Sequence, residues 1–252
     1  MIDINLINEV AVEAGKKIME IYESFQNVRF KEDNTPVTDA DIASNDIINK
    51  YLSKYYPEIP IMSEENDNIE YEERKNWEYY FCVDPLDGTK EFVRKTDQFT
   101  VNIALIKNSK PIAGVIYAPA YALSYFSDTD KNVFKKYKDM QKEILETQYR
   151  KKNLVLIKSN YDRRPLRNYL DLPITEEIKL GSSLKFCRIA EGKANVYLRF
   201  GPTMEWDTAA GQAIVEATGG VILTADEDKN KLLYNKENLM NPDFICLGGI
   251  EG

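Results

Sequence analysis

A chain of 252 residues with 43% hydrophobic content can bury the core of one large domain or two small ones. Its net charge of -8 argues against a nucleic-acid backbone as partner, since phosphate binding by Coulomb attraction asks for a basic face. The complete absence of histidine removes Ser-His-Asp and Cys-His nucleophile systems and most catalytic zinc sites, and leaves carboxylate chemistry.

In chain order, Ile4, Ile7, Val10, Ala11, Ala14, Ile18 and Ile21 recur at helical spacing, with Asp3 placed to cap them. The polar stretch Lys31 to Pro36 reads as a loop or hairpin. A second helix is expected from near Thr38 to about Tyr55, ended by Pro57 and Pro60. Ile61 to Ser63 predicts a short strand that delivers Glu64, and residues 66 to 76 read as a solvated loop or exposed helix. Tyr79 to Val83 predicts a strand ending at Asp84. Phe99 to Ile106, Pro111 to Tyr117 and Leu123 to Ser127 predict an antiparallel meander with a turn at Asn108-Ser109. Asp128 to Lys152 is charged, with strand pieces and a crossing into a second half. From Leu154 the pattern alternates: strands at Leu154–Ile157, Ile178–Leu180, Val196–Arg199, Val221–Leu223 and Phe244–Leu247, and helices at Arg164–Leu170, Ser183–Glu191 and Trp206–Thr218. The expectation is mixed α and β in layers, with subdomains 1–152 and 153–252.

Cys82, Cys187 and Cys246 form no CxxC pair, so neither a disulfide framework nor a zinc site is expected, and a reduced, cytoplasmic setting fits. The N-terminal Met-Ile-Asp-Ile-Asn lacks the basic and continuous apolar regions of a signal peptide. The apolar runs are too short to span a bilayer.

Five stretches carry chemistry. Asp84-Pro85-Leu86-Asp87-Gly88-Thr89 places two carboxylates at a strand end, where a Pro-fixed turn aims both the same way. Gly88 permits close backbone approach to a phosphate, and Gly88-Thr89-Lys90 is expected to open a short helix with free N–H groups. Clustered carboxylates suit Mg²⁺, a hard cation that also binds substrate phosphates. Glu64, at the end of a strand, is a better ligand candidate than its neighbour Glu65. Thr38 with Asp41 resembles a capping box, so Asp39 and Asp41 have a cap reading beside a site reading. Trp206-Asp207-Thr208-Ala209-Ala210-Gly211 opens a helix of small residues in which Asp207 is either a cap or a last ligand. Gly181-Ser182-Ser183-Leu184-Lys185 is either an anion contact or an ordinary Ser cap with a surface lysine.

Taken together and in this order, these motifs resemble the Mg²⁺-dependent, lithium-sensitive phosphatases of the inositol monophosphatase superfamily, over nearly the whole chain. Asp33 to Thr38, Gly88-Thr89-Lys90-Glu91-Phe92, Phe99 to Leu105, Gly181 to Cys187 and Arg199-Phe200-Gly201-Pro202-Thr203 look like its 3'(2'),5'-bisphosphate nucleotidases of the CysQ type. The resemblance implies a layered αβαβα sandwich and hydrolysis of adenosine 3',5'-bisphosphate to AMP and phosphate, as in sulfur assimilation and nucleotide recycling. It implies that Glu64, Asp84 and the Leu86 carbonyl hold one Mg²⁺ and that Asp84, Asp87 and Asp207 hold a second. Mn²⁺ is an expected substitute, and a weak third ion is expected near Asp41. Asp41, Glu64 and Thr89 are the implied catalytic residues, orienting the attacking water. Gly88 and Thr89 contact the phosphate, while Ser182, Ser183, Lys185 and Arg199 contact the nucleotide and its other phosphate. Glu64, Leu86, Asp87 and Asp207 border the substrate as well.

One departure stands out: where this branch usually shows Ser-Arg-Ser-His, the chain reads Ser159-Asn160-Tyr161-Asp162, which suggests Tyr161 as a stacking surface for adenine. No protein partner is implied. Some relatives are peripheral on the inner face of the membrane, but no basic amphipathic helix here requires that. The rival readings are an inositol or sugar phosphatase and a non-catalytic metal- or phospholipid-binding regulator on the same fold.

Overall fold

The computed structural model describes residues 2–24, 28–30, 36–66, 69–138, 140, 143–144 and 152–249. The first helix, α1 (Ile4–Ser24), buries Ile7, Val10, Ala11, Ala14 and Ile18 along one stripe, and Asp3 Oδ1 accepts the Asn5 N–H at 2.9 Å as its cap. Strands β1 (Val28–Phe30) and β2 (Pro36–Thr38) pair antiparallel; the intervening residues 31–35, which hold most of the acidic-loop motif, lie outside the described residues. Helix α2 (Asp39–Tyr55) then packs against α1.

A seven-stranded sheet follows, in spatial order β3 (Ile61–Ser63), β4 (Tyr79–Asp87), β5 (Thr100–Lys107), β6 (Lys110–Ala118), β7 (Leu123–Ser127), β8 (Val133–Tyr137) and β9 (Glu143–Ile144). The β3–β4 pair is parallel, and every later pair is antiparallel, as the meander pattern predicts. Short helices α3 (Tyr71–Arg74) and α4 (Thr89–Val93) interrupt the connections. The second sheet has five strands in the order β11 (Ile174–Lys179), β10 (Leu154–Lys158), β12 (Val196–Arg199), β14 (Phe244–Leu247) and β13 (Val221–Thr224). Helices α5 (Leu184–Ala190) and α6 (Glu205–Ala217) connect its strands.

The layers follow from which faces are apolar. On β4 and β5, Phe81, Val83, Val101, Ile103 and Leu105 point toward α1 and α2, while Tyr80, Cys82, Ala104 and Ile106 point toward α6. Both faces are covered, so these strands read as continuous hydrophobic runs. Helices α5 and α6 sit between the two sheets, and Leu156, Leu166, Val196 and Leu198 pack on the outer face of the second. Gly114 on β6 and Gly211 on α6 permit the close middle layer. A Cβ on Gly114 would lie 2.7 Å from the Ala210 carbonyl oxygen, and one on Gly211 would lie 2.3 Å from the Phe186 ring.

Three expectations change. The segment Arg164–Leu170 is not an α-helix: Pro165 precedes a 3-10 turn over Leu166–Tyr169, and Leu170 is extended. Strand β11 begins at Ile174, before the expected Ile178. The stretch expected to be solvated contains Arg74, which is only 3% exposed and donates to Asn235 Oδ1, the Lys236 carbonyl and the Glu237 carbonyl across the molecule.

Candidate active site

The site forms where three chain segments converge. Strand β4 does not end at Val83 but continues to Asp87, with an irregularity that the sequence reading took for a turn. Asp84 pairs with Asn102 and Asp87 with Thr100, so three steps on β4 oppose two on β5. One extra residue in a strand cancels the usual alternation of faces. Asp84 and Asp87, which regular pleating would point in opposite directions, thereby reach the same cavity. Pro85 and Leu86 occupy the bulge; Ser44 Oγ of α2 donates to the Pro85 carbonyl at 2.8 Å and anchors it.

Glu64 follows β3, which pairs in parallel with β4, and its N–H donates to the Val83 carbonyl at 3.1 Å. An amide network holds this turn on α2. Ser63 Oγ donates to Asn45 Oδ1 at 2.7 Å, and Asn45 and Asn49 both donate to Asn66 Oδ1, at 3.0 and 2.9 Å. Asp207 arrives from the other half, in the first turn of α6. Asp207 Oδ2 accepts the Met204 N–H at 2.7 Å as a helix cap, and the same carboxylate joins Glu64 and Asp84 in a cluster whose oxygens lie within 4.8 Å of one another.

The electrostatics of this cluster are those of a cation site. Asp84 is 1% exposed, and while its Oδ1 accepts the Leu86 N–H at 3.0 Å, its buried Oδ2 has no hydrogen-bond donor. Burial, followed by the Glu64, Asp87, Asp207 and Asp41 carboxylates, pushes Asp84 well above the usual carboxylate range. Asp207 is pushed up to about 7 by burial and by Asp87. Oxygen donors alone, crowded into one buried cluster, fit a hard divalent ion. Asp41 is buried in the first turn of α2 and adds to the negative field at Asp84, whereas Asp39 beside it is half-exposed.

A cavity of about 440 Å³ opens over the cluster, lined by every residue to which the family resemblance assigns a site role except Asp41. Gly88 introduces α4 at φ 90°, and a Cβ there would lie 3.0 Å from the Gln98 carbonyl oxygen and 3.2 Å from Ser182 Cβ, so the turn demands glycine. Thr89 opens α4, with Oγ1 at 3.5 Å from the Leu86 carbonyl. Lys185 is buried, not a surface lysine: Nζ donates to the Ser182 carbonyl, and burial lowers its ammonium to about 8. Arg199 Nη2 donates to the Pro202 carbonyl at 3.2 Å, and its buried Nε has no acceptor. Ser182 and Ser183 line the cavity but donate to Asp87, through both hydroxyls and the Ser183 N–H.

In the departing loop, Asn160 Nδ2 and the Gly181 N–H both donate to Gln98 Oε1 at 2.7 Å, and the Arg94 guanidinium lies 4.7 Å from the Tyr161 ring centroid. Sequence reasoning passed over Thr100, Asn102 and Gln98. The signal was present for the first two, as polar residues inside the otherwise apolar run Phe99 to Ile106.

Among the described residues, no helix is long and apolar enough to cross a membrane. Residues 3–246 match the model of the inositol monophosphatase family. A protein of Buchnera aphidicola named 3'(2'),5'-bisphosphate nucleotidase CysQ is 45% identical over 95% of this chain and 91% of its own length. Its namesake in Escherichia coli K12 is 42% identical over 94% of this chain and 96% of its own. The crystal structure of CysQ from Bacteroides thetaiotaomicron superposes with a TM-score of 0.82 at 36% identity, covering 96% of this chain and 95% of that one. The chain belongs to the inositol monophosphatase family.

Proposed function

We propose that the chain is a Mg²⁺-dependent 3'(2'),5'-bisphosphate nucleotidase that hydrolyses adenosine 3',5'-bisphosphate to AMP and phosphate. The observation that carries the reading is the carboxylate cluster, with its donorless Asp84 Oδ2, set beside the Gly88-Thr89 turn in one cavity. Identity of 45% and 42% to proteins named for this activity supports the substrate class.

In this reading Glu64, Asp84 and the Leu86 carbonyl would hold one ion, and Asp84, Asp87 and Asp207 a second; Mn²⁺ substitutes, and Asp41 borders a weak third position. When bound, such ions neutralise phosphoryl charge and lower the pKa of water. The chain supplies the rest. Gly88 and Thr89 present backbone N–H groups to the phosphoryl oxygens, and Asp41, Glu64 and Thr89 Oγ1 orient the attacking water. Lys185 and Arg199 sit on the cavity wall as the two cations for the phosphate that is not cleaved. Tyr161, braced by Arg94, offers a flat face to the base. Residues 1–152 thus bring the strand-borne carboxylates, and residues 153–252 bring Asp207 and the cationic wall.

The test is phosphate release from adenosine 3',5'-bisphosphate and, separately, inositol 1-phosphate, each with Mg²⁺ and with excess EDTA. Mg²⁺-dependent release with the nucleotide preferred is expected. Release that survives EDTA would refute the metal role, and preference for inositol 1-phosphate would refute the nucleotide assignment.

A further inference from the structure

Thr100 and Asn102 lie on the face of β5 that meets α6, at 0% and 1% exposure, where the strand's next residues on that face, Ala104 and Ile106, are apolar. Burying two polar side chains at a sheet's end is costly unless each finds partners. Their partners form two relays. Asn102 Nδ2 donates to Ser183 Oγ at 2.9 Å, and Ser183 Oγ donates to Asp87 Oδ2 at 2.9 Å. Thr100 Oγ1 lies 2.6 Å from Ser182 Oγ, and Ser182 Oγ donates to Asp87 Oδ2 at 2.7 Å.

Each hydroxyl has one proton to share. Thr100 Oγ1 has two partners, Ser182 Oγ, where either hydroxyl can donate, and Asn102 Oδ1, to which it donates at 2.9 Å. Ser183 Oγ likewise reaches the Asp207 carbonyl at 3.1 Å beside Asp87 Oδ2, so the two relays form one network around the carboxylate. With the Ser183 N–H at 2.6 Å, one oxygen of Asp87 takes three donors, and its rotation is fixed.

We propose that Thr100 and Asn102 are positioning residues that orient Asp87 for cation binding through Ser182 and Ser183. The serines act on the carboxylate rather than on the nucleotide. The relay crosses the molecule, since Asp87 and β5 belong to the first sheet while the serines precede α5 beneath the second. Ser182 adopts φ 53°, a left-handed backbone that turns its hydroxyl and the following N–H onto the same oxygen. The inference rests on the metal reading above.

The experiment measures Mn²⁺ binding by isothermal titration without nucleotide, on wild type, Thr100→Val, Thr100→Ser and Asn102→Leu. Thr100→Val keeps the shape and loses the donor, while Thr100→Ser keeps the donor. We expect Thr100→Val and Asn102→Leu to bind Mn²⁺ roughly ten-fold more weakly, the scale of lost support behind a metal ligand, with Thr100→Ser near wild type. The Mg²⁺ concentration for half-maximal phosphate release should rise by the same factor, and KM for the nucleotide at saturating Mg²⁺ should hold. If Asn102→Leu does not fold, Thr100→Val against Thr100→Ser carries the test. Unchanged Mn²⁺ affinity in folded Thr100→Val overturns the proposal, as does a raised nucleotide KM with metal affinity intact. Failure of wild type to bind Mn²⁺ would instead overturn the metal reading itself.

Discussion

Two buried carboxylate sites in this molecule solve the same problem in opposite ways. Glu191, at the end of α5, has a side chain only 3% exposed, and the chain surrounds it with donors: Lys135, Arg188 at 2.7 Å, Lys193 at 3.1 Å and the Tyr125 hydroxyl at 2.9 Å. Burial alone would raise it, but hydrogen bonds from Lys135, Arg188 and Tyr125 outweigh that and hold it down at about 2. At the candidate active site, Asp84 faces Glu64, Asp87 and Asp207 instead, and both Asp84 and Asp207 are pushed up. A charge balanced from within the chain braces the fold. A cluster of carboxylates that raise one another is held in place by the rest of the structure, and it fits a cation from outside.

The largest effect expected from breaking this contrast is at Asp84. Asp84→Asn should cut turnover by orders of magnitude while raising the melting temperature of the metal-free protein, because it removes a repelled charge. Near-normal phosphate release in the variant would end the assignment. Glu191→Gln should do the reverse. Loss of one partner from a buried ion network costs about 3 kcal/mol in denaturant unfolding, with turnover per folded molecule unchanged. A variant as stable as wild type would mean that the four donors brace nothing.

Arg199 sharpens the contrast from the other side, as a cavity-lining cation whose buried Nε donor has no acceptor. One charge-assisted bond is worth about 1.5–3 kcal/mol, so Arg199→Ala should raise KM for adenosine 3',5'-bisphosphate by roughly ten-fold or more. Singly phosphorylated substrates should be little affected. Equal losses on both classes would place the effect in the fold or the metal site.

The two sites should also tilt stability in opposite directions with pH, the smallest effect of the set. Asp207 rises from 3.8 to about 7 on folding. Between those values the metal-free folded state keeps a proton that the unfolded chain has lost, so stability falls as pH rises through the window. Glu191 drops from 4.5 to about 2, so its contribution is complete above the first value and lost as pH falls toward the second. Denaturant titrations in EDTA should show both slopes. Glu191→Gln should remove only the acid one, and saturating Mg²⁺ should flatten only the other.

Much of this architecture was legible in the sequence because it rests on local periodicity. The apolar stripe of α1 and the apolar runs of β5, β6 and β7 declare themselves within a dozen residues. The order of the carboxylate motifs marked the family and eleven of the twelve candidates that meet at one cavity. What stayed hidden depends on pairing. The extra residue at Pro85-Leu86 exists only relative to β5, so an irregular strand read as a turn. Arg74 looked solvated because its acceptors lie more than 160 positions away. That Ser182 and Ser183, which line the cavity, also donate to Asp87 stayed hidden because nothing local shows that Asp87 sits within reach of both hydroxyls. Leu166 and Leu170 carry helical spacing, but Pro165 and the packing of Leu166 on the second sheet leave room for a single 3-10 turn.

The central claim is that the Glu64, Asp84 and Asp207 cluster is completed by a divalent cation, and a thermal titration tests it most directly. Metal-free protein at pH 7.5 would be melted with increasing Mg²⁺, for wild type and for Asp84→Asn. Binding only to the folded state should raise the wild-type melting temperature by roughly 5–10 °C at a hundred-fold excess over Kd, and it should leave Asp84→Asn nearly unmoved. A wild-type melting temperature that ignores Mg²⁺, or an equal rise in the variant, would contradict the account.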